Sequence, residues 1–228
     1  MQGRILYMKK KQLARLGVTL GLVAAVGVGG TLALLTAETE EVTNIFTVGD
    51  GLKDTDLELD ETDVKNPEST RVKRNLYENL TPSMSLVKDP QVRISAAAAD
   101  CYAFIKVSGV DEFLTAMGGE DEKYAQITNW NSGWKLKDKE NENAKYDGIY
   151  YWQPDKDAAE GLKVSVGNEK FSQFVFEGIA LGKDAALYNA DGSKKDSIPE
   201  IKIDACAVQA AGDKAWSNAI ESLPEEFK

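Results

Sequence analysis

From Leu57 onward the chain is written mostly in a period of two, and that alternation commits it to sheet before any other property is weighed. Leu57 and Leu59 alternate with acids, and "GLKVSVG" alternates Leu162, Val164 and Val166. "YAFIKV", "IKIDACAV", "GIYYW" and "FSQFVF" are rich in β-forming residues. Clusters of Gly, Asn, Asp and Pro separate these short runs, so the pattern predicts a mainly β chain folded as an antiparallel β-sandwich. Two segments carry helical spacing instead. "GVDEFLTAMGGEDEKYAQITNW" holds Phe113, Leu114 and Met117, and "AGDKAWSNAIESL" holds Trp216, Ile220 and Leu223 ahead of Pro224. They predict one short helix in an insertion and another at the C-terminus. The charged stretch "WKLKDKENENAKYDG" reads as a surface hairpin loop, and no internal repeat is evident.

The first 33 residues follow other rules. A basic stretch, "MKKKQLAR", precedes an uncharged run from Leu16 to Leu35, and the run ends among the small residues of "GGTLA". This is the layout of a secretory signal peptide, with Thr31 and Ala33 in the small positions before the cut and Leu34 as the new first residue. A retained membrane anchor is the alternative, since 20 uncharged residues can span a bilayer. Gly17, Gly21, Gly27, Gly29 and Gly30 weaken that run as a stable helix and favour cleavage. The expected plan is therefore a signal peptide over 1–33, a processing and assembly strand over 34–50, and one sandwich domain over 51–228.

Charge and composition narrow the function. The full chain has 27 basic and 37 acidic residues, a net of -10; removing the five basic residues of the first 33 positions leaves 22 against 37, a net of -15. Such a surface repels nucleic acid and anionic lipid, so neither nucleic acid nor, after cleavage, a membrane is an expected partner. The chain has no histidine. That removes Ser-His-Asp and Cys-His nucleophile pairs, His-containing zinc sites and the H-E-x-x-H helix. No phosphate-binding loop of the G-x-x-x-x-G-K-[ST] type occurs either. The expectation is a protein that is not an enzyme and has no cofactor and no metal. "DTDLELDETD" is dense enough in carboxylates for calcium, but its acids alternate with leucines, as on the wet face of an edge strand. "NADGSKKD" lacks the bidentate Glu of a calcium loop and reads as a turn. Trp130, Trp134, Tyr150, Tyr151 and Trp152 form either a sugar-binding platform or sandwich core.

The stretch "GGTLALLTAETEEVTNIFTVG" resembles the signal and processing region of the TasA and camelysin family of exported Gram-positive proteins, through Gly29, Gly30, Thr31, Ala33, Asn44, Phe46, Thr47 and Gly49. "NLTPSMSLVKDPQVRI" followed by "CYAFIKV", and "IPEIKIDACAVQA", are similar to further elements of that family. The resemblance covers both ends of the exported chain and leaves 111–190 to general pattern. It implies a jelly-roll-like subunit of fibres in the extracellular matrix or on the cell surface of a Gram-positive bacterium. It also implies cleavage by a SipW-type signal peptidase and partners that are other copies of the chain, with an accessory matrix protein besides. A monomeric surface adhesin or binding module using the aromatic cluster is the second reading. The chain ends at "SLPEEFK" without an L-P-x-T-G element, so covalent wall anchoring is not expected.

On this reading the cut frees an N-terminal strand that can add to the sheet edge of another copy. Val42, Ile45, Phe46 and Val48 are its apolar residues, with Phe46 and Val48 on one face and Ile45 and Thr47 on the other. The two cysteines, Cys101 and Cys206, each lie in a β-rich stretch. Export favours oxidation and the resemblance puts the two on strands that could be neighbours, which together imply a disulfide; two buried free thiols are the alternative.

Overall fold

The computed structural model describes residues 52–68, 70–95, 99–164, 171–195 and 197–228, and the backbone of 36–38. The cleavage positions Thr31, Ala33 and Leu34, and the assembly residues Val42, Ile45, Phe46 and Val48, lie outside the described residues. Every described residue belongs to one of the two units into which the chain divides, formed by Leu34–Ile45 and Asp50–Lys228.

That unit is mainly β, as the alternation predicts. Strands are numbered in chain order. The largest sheet runs β1 (Thr36–Glu38), β12 (Lys202–Gln209), β6 (Cys101–Ser108), β9 (Gly148–Trp152) and β8 (Trp134–Lys139). A second sheet runs β10 (Phe171–Phe174), β5 (Gln91–Ile94), β2 (Leu57–Thr62) and β3 (Arg71–Val72). A third joins β4 (Ser85–Val87), β11 (Gly178–Leu181) and β7 (Ala125–Thr128). All pairings between these strands are antiparallel.

Burial explains the layering. Cys101, Ala103, Ile105 and Val107 of β6 join Ala205 and Ala207 of β12 on one face of the largest sheet; Leu57, Val92 and Ile94 of the second sheet, with Leu86, Ile179 and Leu181 of the third, complete one core. The two smaller sheets thus form the facing layer of a β-sandwich. The other face of the largest sheet is apolar too. Tyr102, Phe104, Cys206 and Val208 pack there with Ala219, Leu223 and Phe227 from the C-terminal helix α2 (Ala215–Glu221) and the turn after it. Because β6 is covered on both faces, its first five residues, Cys101 to Ile105, read as an apolar run and not as an alternation.

Only the first part of the longer helical segment is helix, namely α1 (Val110–Ala116). Gly118 and Gly119 follow it at φ +112° and +118°, conformations that end a helix and suit glycine. The remainder of that segment supplies β7. "WKLKDKENENAKYDG" does form a hairpin, β8 to β9, with a bulge between Leu136 and Asp138.

The structure corrects the disulfide. Cys101 and Cys206 are free, buried thiols. Their strands are neighbours, but Cys101 stands opposite Gln209 and Cys206 opposite Phe104. Three positions along a strand is roughly 10 Å, and an odd offset turns the two side chains to opposite faces. A disulfide needs Cα atoms within roughly 7 Å and converging Cβ vectors.

Candidate functional site

A groove of about 860 Å3 opens where the three sheets meet. Leu59 of β2, Leu86 of β4, Ile179 of β11, Phe113 of α1 and Ile203 of β12 give it an apolar lining. One wall is the segment 73–80, which follows the two-residue strand β3; the other is formed by Lys195 and by residues 197–204, which lead into β12.

Each wall is anchored by its own chemistry. Glu61 accepts the backbone N–H of Asn75 at 3.1 Å and pairs with Lys88 Nζ at 2.9 Å, while its side chain is 8% exposed. Asn75 in turn donates to the Thr62 carbonyl at 2.7 Å. The Tyr77 hydroxyl donates to the Val87 carbonyl at 2.6 Å, and burial, with Glu61 and Asp89 nearby, pushes that phenol up from its ordinary value. On the opposite wall, Gly109 at φ +80° lets the start of α1 close on the Glu200 carbonyl, which would lie 2.1 Å from a Cβ at that position. Arg74 Nη2 bonds Glu200 Oε1 at 3.0 Å and so joins the two walls at the exposed rim.

The edge of β12 beside this groove bears on assembly. On its far side β12 pairs with β6 along its whole length. On the near side the described residues pair it only with β1, Thr36 opposite Val208 through Glu38 opposite Cys206. The next residues, Lys202 to Asp204, belong to the groove lining.

Most carboxylates of "DTDLELDETD" take partners within the fold. β2 lies between β5 and β3, so it is not the edge strand that the alternation suggested. Asp60 pairs with Arg71 and Arg93, Glu58 with Arg93, and Glu61 with Lys88; Asp56 accepts the Lys53 N–H and the Ser95 hydroxyl. Among the described residues no group of three or more metal-ligating side chains gathers. "NADGSKKD" is a turn: Gly192 sits at φ +81°, and Asp191 Oδ1 accepts both the N–H and the hydroxyl of Ser193.

The five aromatics do not make one platform. Trp134, Tyr150 and Trp152 are buried in the main core, with Trp130 packed against it. Tyr151 faces the other side of the sheet, 5.0 Å from the Trp216 ring. The groove itself was missed in the sequence, because its walls are irregular segments without a period; the Ile201 and Ile203 alternation before "DACAV" is the one trace of it. Comparison with known protein families, with characterised proteins and with solved structures finds no match to this chain.

Proposed function

We propose that this is an exported structural protein that polymerises by strand addition, the N-terminal segment released by cleavage after Ala33 pairing with the β12 edge of another copy. The observation that carries the reading is the pairing of Thr36–Glu38 with the Val208–Cys206 half of β12, which ends where the groove begins. Continued in that register, residues 39 to 42 of an incoming strand fall opposite Ala205 to Lys202. A seat that takes a chain's own edge strand takes the same strand from a neighbour, the logic of domain swapping and of edge pairing. Each backbone hydrogen bond made there contributes about 1 kcal/mol net, and each large apolar side chain that docks about 2 kcal/mol.

Secretion is the part of the reading that rests on the N-terminal layout; cutting by a SipW-type peptidase and residence in the extracellular matrix or on the cell surface of a Gram-positive bacterium rest on the resemblance to the TasA and camelysin family. N-terminal sequencing of secreted material tests the processing step. The expected first residue is Leu34; a start beyond Thr43, or intact chain held in membranes, contradicts it.

A further inference from the structure

The two ends of the largest sheet are built differently. At one end β12 pairs with β6 over eight consecutive positions without a break, and its residues Ala205 to Val208, three of which take β1, are uncharged. At the other end lies β8, and among the described residues no strand pairs with its outer side. Four of its six residues are charged: Lys135, Lys137, Asp138 and Lys139. Its ladder to β9 breaks between Leu136 and Asp138, which leaves Lys137 as the extra residue of a bulge. The neighbouring strand is shaped to fit: Gly148, opposite Lys139, leaves room for the Asp138 carbonyl, which would lie 2.4 Å from a Cβ at that position.

We propose that β8 is the closed edge of this sheet: the bulge at Lys137 and the charges of Lys137, Asp138 and Lys139 exclude a strand from a second copy, so that copies add only at β12. The consequence for growth rests on the strand-addition reading above; the closure of β8 stands on the edge itself. A bulge breaks the line of N–H and C=O groups that an added strand has to follow. Lys137 pairs with Asp138, whose side chain is 57% exposed, and a strand laid along β8 takes away the water around that pair. Lys135 is engaged elsewhere, its ammonium donating to the Asp155 and Ala158 carbonyls of the loop after β9, so closure falls to the second half of the strand. Without these devices the edge is fit to pair. It is six residues long, and Leu136, 40% exposed, is an apolar side chain that an added strand would cover. An open β8 gives each copy a second place for a strand and lets sheets join edge to edge, whereas a closed one keeps growth in a single line.

The test opens the edge in the chain beginning at Leu34. One variant deletes Lys137, which joins Leu136 and Asp138 into an unbroken ladder opposite Tyr150 and Ile149, and carries Asp138→Thr and Lys139→Thr besides. A second variant carries the two substitutions alone and keeps the bulge. Circular dichroism checks that each keeps the fold, and sedimentation velocity over rising concentration, with negative-stain electron microscopy, follows association beside the wild type. The deletion variant is expected to associate at a concentration about ten-fold lower than the wild type and to form bundles or sheets in place of single filaments, with the second variant between the two. A folded deletion variant that associates no more readily than the wild type overturns the proposal. If the deletion unfolds the chain, the second variant decides: association at a lower concentration than the wild type supports the closed edge, and an unchanged one overturns it. Wild type that stays monomeric while the deletion variant associates overturns strand addition and leaves the closed edge standing.

Discussion

Cys101 and Cys206 sit on hydrogen-bonded neighbouring strands yet face opposite sides of the same sheet, Cys101 in the sandwich core and Cys206 under the C-terminal helix. Thiol counting on denatured, unreduced protein should therefore find two free groups, and the native fold should react slowly with a thiol reagent at neutral pH because both are buried. Burial, with Asp100 and Asp56 nearby, pushes the Cys101 thiol up from 9.0 to about 12. Since an unfolded thiol ionises near 9 and the folded one does not, the unfolded state binds fewer protons between these values. The contribution of Cys101 to stability is thus intact below pH 9 and is lost as pH rises toward about 12. Replacing Cys101 by Ala should flatten that part of an alkaline unfolding profile.

How much of this was readable beforehand divides along physical lines. β6, β9 and β12 are long or strongly apolar, and each was visible as a run. β4, β5 and β11 are three or four residues long and leave no periodic trace, while the two-residue β3 has Arg71 bonded to Asp60 and Asp89 beside it. The two cysteine strands are neighbours, as the resemblance implies. Their parity is not legible in the sequence, since register depends on pairing over distant residues and a slip of one position reverses every side chain. Phe113, Leu114 and Met117 set a helical period that Gly118 and Gly119 end at once, so the helix is shorter than the segment that carries its pattern. The groove is assembled from segments 126 residues apart, Arg74 to Glu200, and no local pattern announces such a meeting.

Trp216 joins Ala219, Leu223 and Phe227 in seating the C-terminal helix on the sheet. Trp216 stacks on Phe104 at 5.7 Å and meets Tyr102 edge-on at 5.1 Å, and a Cβ on Gly161 would lie 2.3 Å from its ring. Trp216→Ala should cost about 3 kcal/mol in urea unfolding. Gly161→Val should destabilise through the same ring, and in the Trp216→Ala background most of that penalty should vanish.

Glu61 and Lys88 form a pair whose side chains are 8% and 12% exposed at the edge of the groove lining. Removing either partner alone strands a shielded charge, so Glu61→Leu and Lys88→Met should each cost about 3 kcal/mol. The double variant should recover most of that loss. Equal additive penalties in a thermodynamic cycle would mean that the two charges do not depend on each other.

Phe46 and Val48 share one face of the N-terminal strand, as read from the alternation of the sequence. Phe46→Ser with Val48→Ser, or deletion of residues 34–43, should leave a soluble, folded monomer, because β12 keeps its full pairing with β6 when the edge strand β1 is gone. Size-exclusion chromatography with circular dichroism separates this from the competing reading, in which the strand completes its own domain and the double substitution unfolds or aggregates the chain.

The central claim is that cleavage turns this chain into a self-adding subunit. The most direct test is sedimentation and negative-stain electron microscopy of the wild-type chain beginning at Leu34, over rising concentration, beside the same chain with residues 1–33 attached. The account predicts fibres above a critical concentration for the cleaved chain and none for the uncleaved one; a cleaved chain that remains monomeric at high concentration contradicts it.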